Sequence, residues 1–165
     1  MVGHALAVLT GPTNRHYEPR VRRIELIQQR TGEQVEVEME SDRTLFVVTL
    51  PAGDYALARV QINEGPFLAM AQLDVRFTVQ AGGVTYLGTL WFGVDPPKYG
   101  RMVVVAVTED PADRAVAERE FAARYPAQTA PSFSPAPLTP PALQARLYEV
   151  SPYPRVQPYF RRHWW

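Results

Sequence analysis

Over residues 73–80 the side chains alternate without a break: Leu73, Val75, Phe77 and Val79 fall on one face, and Asp74, Arg76, Thr78 and Gln80 on the other. A period of two with one apolar and one wet face is what a strand lying on a core requires, and an α-helix would scatter those residues around its axis. The same grammar fills residues 44–94, around which the rest of the chain is organised. Residues 45–50 and 55–62 carry strand-type side chains on either side of Pro51-Ala52-Gly53-Asp54. That spacing predicts a strand, a type I turn over residues 50–53 and a second strand. After Ala81-Gly82-Gly83, where glycine can supply a left-handed residue, Val84, Tyr86, Gly88, Leu90, Phe92 and Val94 continue at period two. Leu87 and Trp91 fall on the opposite face, so this strand is apolar on both sides and expected to be central. The stretch therefore reads as two hairpin-like units in succession.

The flanking sequence extends the pattern. Residues 5–9 and 21–28 read as strands, Thr31-Gly32 as a turn, and residues 34–40 as the hairpin partner, with Val35, Val37 and Met39 inward and Glu36, Glu38 and Glu40 outward. Prolines break residues 95–100, and residues 102–107 (MVVVAV) form a last, buried strand. About seven to eight strands joined by short turns imply an all-β protein, an antiparallel β-sandwich of prealbumin or immunoglobulin type. One helix is expected over 110–125. Asp110 suits its N-cap, Pro111 its first position and Asp113 its positive end, while Ala117, Phe121 and Tyr125 line the docking face with Val116 and Ala122 beside them. Arg114, Glu118 and Arg119 turn to water, and Pro126 ends the helix. The expected organisation is a sandwich domain over 1–125 with its docking helix, then an extended arm over 126–165.

Two segments carry a resemblance. LPAGDYAL at 50–57 and FTVQAGGVTYLGTL at 77–90, above all Phe77, Val79, Gly83, Tyr86, Leu87 and Gly88, resemble the prealbumin-like (transthyretin-like) sandwich of carboxypeptidase-regulatory-like domains. In particular they resemble small bacterial envelope lipoproteins. The likeness spans roughly residues 44–125. It implies an accessory or binding module in the periplasm or at the cell surface, and brings no catalytic residue with it.

Composition narrows the classes further. The 165 residues balance 17 basic against 17 acidic side chains, but the body is weakly acidic, while residues 126–165 hold four Arg and one Glu. Neither part carries the basic footprint of a nucleic-acid binder. The absence of cysteine excludes disulfides, thiolate metal sites and a thiol nucleophile. No run approaches the roughly 20 apolar residues of a membrane span. The apolar run 4–10 is too short for a signal peptide, so an exported protein would have had its signal removed from this sequence.

The arm is the unusual part. Nine of the sixteen prolines lie in 126–165. Residues 127–141 are expected to be extended, and Thr139-Pro140 to open a short helix through Tyr148. In SPYPRVQPYFRRHWW, Tyr153, Tyr159, Phe160, Trp164 and Trp165 interleave with Arg155, Arg161 and Arg162. Tyr, Trp and Arg dominate interface hot spots, so these eight residues read as a partner-binding arm for another protein or a second copy. The competing readings are an arm that folds back over its own sheet, and peripheral membrane contact.

Chemistry-bearing patterns are sparse. There is no GxSxG elbow and no HExxH pair. Glu36, Glu38, Glu40 and Asp42 share a strand face, but residues two apart on a strand stand about 7 Å apart and converge poorly on Ca²⁺. His4, His16 and His163 are scattered. Tyr86, Trp91 and Tyr99 suggest either an aromatic patch for sugar or peptide, or simple core packing. No catalytic residue, metal or cofactor is expected. The leading reading is a non-enzymatic envelope binding or assembly subunit. The alternatives are a hydrolase of unfamiliar type using sheet carboxylates or Glu109 and Asp110, and a subunit of a filament or larger membrane complex.

Overall fold

The first strand, β1 (Val2–Thr10), is buried at every residue from 3 to 9, which needs neighbours on both sides and both faces. The architecture supplies them. In the computed structural model, which describes residues 1–13, 15–40, 44–96, 98–128, 133–135 and 138–150, the chain is an all-β sandwich with one helix. The elements after β1 are β2 (Arg20–Gln28), β3 (Gln34–Glu38), β4 (Leu45–Pro51), β5 (Gly53–Glu64), β6 (Phe67–Val79), β7 (Val84–Val94), β8 (Met102–Thr108), α1 (Pro111–Arg124), β9 (Phe133–Pro135), β10 (Ala142–Arg146) and β11 (Tyr148–Glu149). One sheet has the order β10-β8-β7-β1-β4, with β9 beside β7. The other runs β11-β6-β5-β2-β3.

Side-chain alternation sorts β1 between two cores. Ala5, Ala7 and Leu9 face the second sheet, joining Tyr55, Val60, Ile62, Phe77, Leu90 and Phe92 in the main core. Leu6 and Val8 point the other way, onto a smaller cluster with Val84, Tyr86, Ala117 and Phe121 beneath α1. The helix begins as its sequence demands: the Asp110 carboxylate accepts the Ala112 N–H at 2.8 Å, and Pro111 occupies the first turn. Phe121 is fully buried, a burial that contributes on the order of 2–3 kcal/mol. Among the described residues, no helix is long and apolar enough to cross a membrane.

Several elements differ from the sequence expectation. The hairpin β2–β3 forms as its alternation predicts, from Ile27↔Gln34 to Arg23↔Glu38. The segments on either side of residue 52, however, do not pair: β4 lies in one sheet and β5 in the other, and the same is true of β6 and β7. Both supposed hairpins are crossings between layers, and the true hairpin is β5–β6, closed at Glu64↔Phe67. Alternation dictates which face of a strand turns inward but not which sheet it joins, since both sheets turn an apolar face to the same core. Nor is the sandwich antiparallel throughout, because β1 and β9 both run parallel to β7.

The even period of β7 also breaks. Against β1 the register slips between Leu6 and Val8, so β7 carries an extra residue between Tyr86 and Thr89. Gly88 sits there at φ +92, where a Cβ would come within 3.0 Å of the Thr108 carbonyl oxygen. This bulge flips the strand. Tyr86 faces the helix, whereas Leu87, Leu90 and Phe92 face the main core, and Trp91 is left on the outer face at 40 % exposure.

The described part of the arm is not a free ribbon. Thr139 exchanges backbone hydrogen bonds with Arg76 of β6, at 2.8 and 3.1 Å. β10 then adds to β8 in the opposite sheet, and β11 returns to β6. The short helix expected after Thr139 is therefore a strand, with Leu138 and Leu147 buried in the main core at either end. Two unpaired edges with room for apolar anchors between them offer this segment more than a solvated helical turn does.

Candidate functional site

Where the lacing ends, the chain is held by a buried ionic centre. Glu64 closes β5 at 2 % exposure, and Arg101 precedes β8 at 1 %. Arg101 Nη1 lies 2.6 Å from Glu64 Oε2, and Arg15 Nη1 lies 3.4 Å from Glu64 Oε1. Arg101 Nε faces Glu149 Oε1 of β11 at 2.9 Å, and its carbonyl accepts the Leu147 N–H at 2.9 Å. Two guanidiniums and two carboxylates balance there. A buried carboxylate without such a partner would be strongly destabilising, so the centre ties β11, the last described strand, to the hairpin tip of β5–β6. The Val150 N–H closes the run on the Leu68 carbonyl at 2.7 Å.

The surface above this anchor carries Tyr and Arg. The guanidinium carbon of Arg146 lies 5.5 Å from the ring centre of Tyr99 and 5.3 Å from that of Tyr148, both within cation–π range. Tyr99 is 97 % and Tyr148 58 % exposed, and Phe67, next to Leu68, is also exposed. At the same end of the sandwich a cleft of about 250 Å³ opens between the sheets, with Ile62, Phe92 and Val94 in its floor and Thr10, Glu18 and Arg20 at its rim. Asp95 pins the loop that carries Tyr99. Its carboxylate accepts the Met102 N–H at 3.1 Å, and this bond, aided by Lys98, holds it below the usual carboxylate range.

The eight arm residues singled out from sequence, Tyr153, Arg155, Tyr159, Phe160, Arg161, Arg162, Trp164 and Trp165, lie outside the described residues, as do Asp42 and His163. Arg146 and Tyr148, which the sequence reading missed as surface groups, lie in the described part of the arm and share the Arg-and-tyrosine composition of those eight residues. The proposed trio is not assembled. Tyr86 is buried beneath α1, Trp91 covers Gly93 on the outer sheet face, and Tyr99 meets Arg146.

The other candidates are occupied by structural work. Glu36 and Glu38 both bridge Arg23, and Glu25 pairs with Arg59 at 3.1 Å. Asp110 caps α1, and Glu109 beside it is exposed. Among the described residues no group of three His, Asp or Glu side chains is placed to hold a metal ion. His4 is buried between Phe121 and Tyr125, with Nδ1 3.0 Å from Thr49 Oγ1 and Nε2 2.7 Å from the Gln128 amide nitrogen. Burial lowers its pKa below the ordinary 6.5.

No family model, no curated protein and no solved structure matches this chain.

Proposed function

We propose that this protein is a non-catalytic binding and assembly module whose arm, residues 126–165, docks through its last part, residues 151–165, on a partner protein or a neighbouring subunit. The observation that carries the reading is the anchoring of the chain up to Val150, beside the exposed Tyr99, Arg146 and Tyr148. Residues 138–150 fasten the start of the arm to both sheets, so partner binding would act on a fixed point of the body rather than on a loose tether. The aromatic and Arg content continues across that point into residues 153–165, the composition of interface anchors. The buried carboxylates Glu64 and Glu25, each held by Arg, favour this over a hydrolase reading. An envelope location and a prealbumin-like kinship belong to the same proposal. They are supported by the motif residues Phe77, Val79, Gly83, Tyr86, Leu87 and Gly88.

The test is sedimentation velocity and pull-down with the intact chain against a chain ending at Val150. The shorter chain should keep its circular dichroism spectrum and lose the arm-dependent association. Equal association of the two would overturn the reading.

A further inference from the structure

Every sheet ends in two edges, and an edge with free backbone groups is a template for another strand. On one flank both edges are taken by the chain's own β10 and β11. On the other, sheet order ends at β3 and β4, and no described strand pairs beyond either. β3 is five residues long and carries Glu36 and Glu38, exposed and charged, the usual protection of an edge. β4 has no charge and only Pro51 at its end to protect it. Its seven residues, LFVVTLP, include no ionisable side chain.

The ladder with β1 says which backbone groups of β4 turn away from it. The Leu9 N–H reaches the Thr44 carbonyl at one end and the Ala52 N–H reaches the Met1 carbonyl at the other. Antiparallel alternation then turns Phe46, Val48 and Leu50 towards β1, and leaves the N–H and C=O of Leu45, Val47 and Thr49 on the outer edge. These residues are symmetric about Val47. A copy of the strand turned by half a revolution about Val47 offers an acceptor opposite each donor, with Val47 facing itself and Leu45 facing Thr49. No ionisable side chain of either β4 opposes the approach. Pro51, which has no N–H, falls outside the symmetric set.

We propose that β4 pairs antiparallel with β4 of a second copy about a two-fold axis at Val47, joining the two β10-β8-β7-β1-β4 sheets into one continuous sheet. The partner is the same chain because the edge is its own complement, an isologous contact that closes after two subunits. This surface lies on the flank opposite the arm anchor and does not depend on the arm.

Sedimentation velocity at about 50 µM should show a dimer, within the micromolar range in which a short edge contact is populated. Val47→Pro removes a donor that serves only the outer edge, so it should keep the fold and weaken dimerisation by about tenfold or more. Amide exchange provides a second reading on the unaltered protein: Leu45, Val47 and Thr49 should be protected in the dimer and lose that protection on dilution. The chain ending at Val150 should dimerise as before, whereas Val47→Pro should leave arm-dependent association intact, which separates the two proposals. A monomer at about 50 µM, a dimer that survives Val47→Pro, or a dimer lost on removing residues 151–165 would each overturn the pairing. So would amides protected in a monomer, which would mean that the chain covers its own edge.

Discussion

The two flanks of the sandwich solve the same problem in opposite ways. On one, a single thirteen-residue run, 138–150, touches β6 at Thr139, adds β10 to β8 and returns as β11 to β6, burying Leu138 and Leu147 on the way. On the other, the acidic β3 is guarded by charge and β4 only by Pro51 at its end. The difference teaches that closure is concentrated at one side, so changes there should act on folding, whereas changes at β4 should act on association. The largest contrast comes from two stop positions. A chain ending at Gln128 loses β9, β10, β11 and two buried leucines, and re-exposes the edges of β8 and β6. The leucines alone are worth about 1.5–3 kcal/mol each, so a loss of more than about 5 kcal/mol is expected, enough to remove most of the stability of an ordinary domain. Ending at Val150 should leave the urea midpoint almost unchanged. Comparable midpoints for the two chains would break the contrast.

The ionic centre is the next test of the laced flank. Arg101→Met leaves Glu64 buried without its closest guanidinium and should cost about 3–5 kcal/mol in urea unfolding. Adding Glu64→Leu removes the orphaned charge, so the double variant should be more stable than Arg101→Met alone. Glu149→Ala, whose carboxylate is half-exposed, should cost less than about 1 kcal/mol. If the double variant is no better than the single, the centre holds the tail by packing rather than by charge balance.

The fold class was legible in the sequence because alternation is a direct print of burial. Leu73, Val75, Phe77 and Val79 are all buried as read, and α1 begins at Asp110 and docks through Ala117 and Phe121 as its spacing requires. Which strands neighbour one another was not legible. Pro51-Ala52-Gly53 has turn chemistry in either case, and nothing local distinguishes a reversal within a sheet from a crossing between sheets. Gly88 hid its bulge inside an apparently unbroken period. β10 turns Leu143 and Ala145 towards the core and Ala142, Gln144 and Arg146 outwards, but two apolar residues in five do not separate a strand from a helical turn, and the edge that β8 offers decides it. That is a tertiary cause, absent from the segment itself. The ionic centre was equally hidden, since Arg15, Glu64, Arg101 and Glu149 are scattered along the chain and meet only through the topology.

A pair of prolines compares the flanks at equal chemistry. The Val107 N–H to Pro141 carbonyl and Leu147 N–H to Arg101 carbonyl bonds bracket the β8–β10 ladder, so alternation gives the Ala145 N–H to β8. Ala145→Pro therefore removes a bond inside the fold, and should cost about 1–3 kcal/mol. Val47→Pro removes an N–H on the open edge and part of the packing of a half-buried side chain, and should cost about 1 kcal/mol or less in the monomer, below Ala145→Pro. Thermal and urea unfolding at low protein concentration measure both. Equal costs would mean that β4 is as engaged within one chain as β10 is.

The smallest effect expected is a pH dependence that belongs to the β4 side. His4 stands on β1, bonded to Thr49 of β4 and to Gln128 just past the helix, with the rings of Phe121 and Tyr125 against it and no charged group among these neighbours. In the neutral ring, Nε2 accepts from the Gln128 amide and Nδ1 donates to Thr49, and protonation would set a second ring donor against the amide. Burial lowers the folded pKa, so between that value and the ordinary 6.5 the unfolded chain holds more protons than the folded one. Stability is therefore full above about pH 6.5 and declines as the pH falls towards the folded value. Urea midpoints measured from pH 7.5 to 5.5 should drift downwards, with the Val48 amide, which the ladder turns towards β1, losing protection and the Ala145 amide keeping its own. In His4→Phe the drift should shrink. If it persists there at the same slope, the titrating group lies elsewhere, and β1–β4 is no more sensitive to acid than the flank held by the tail.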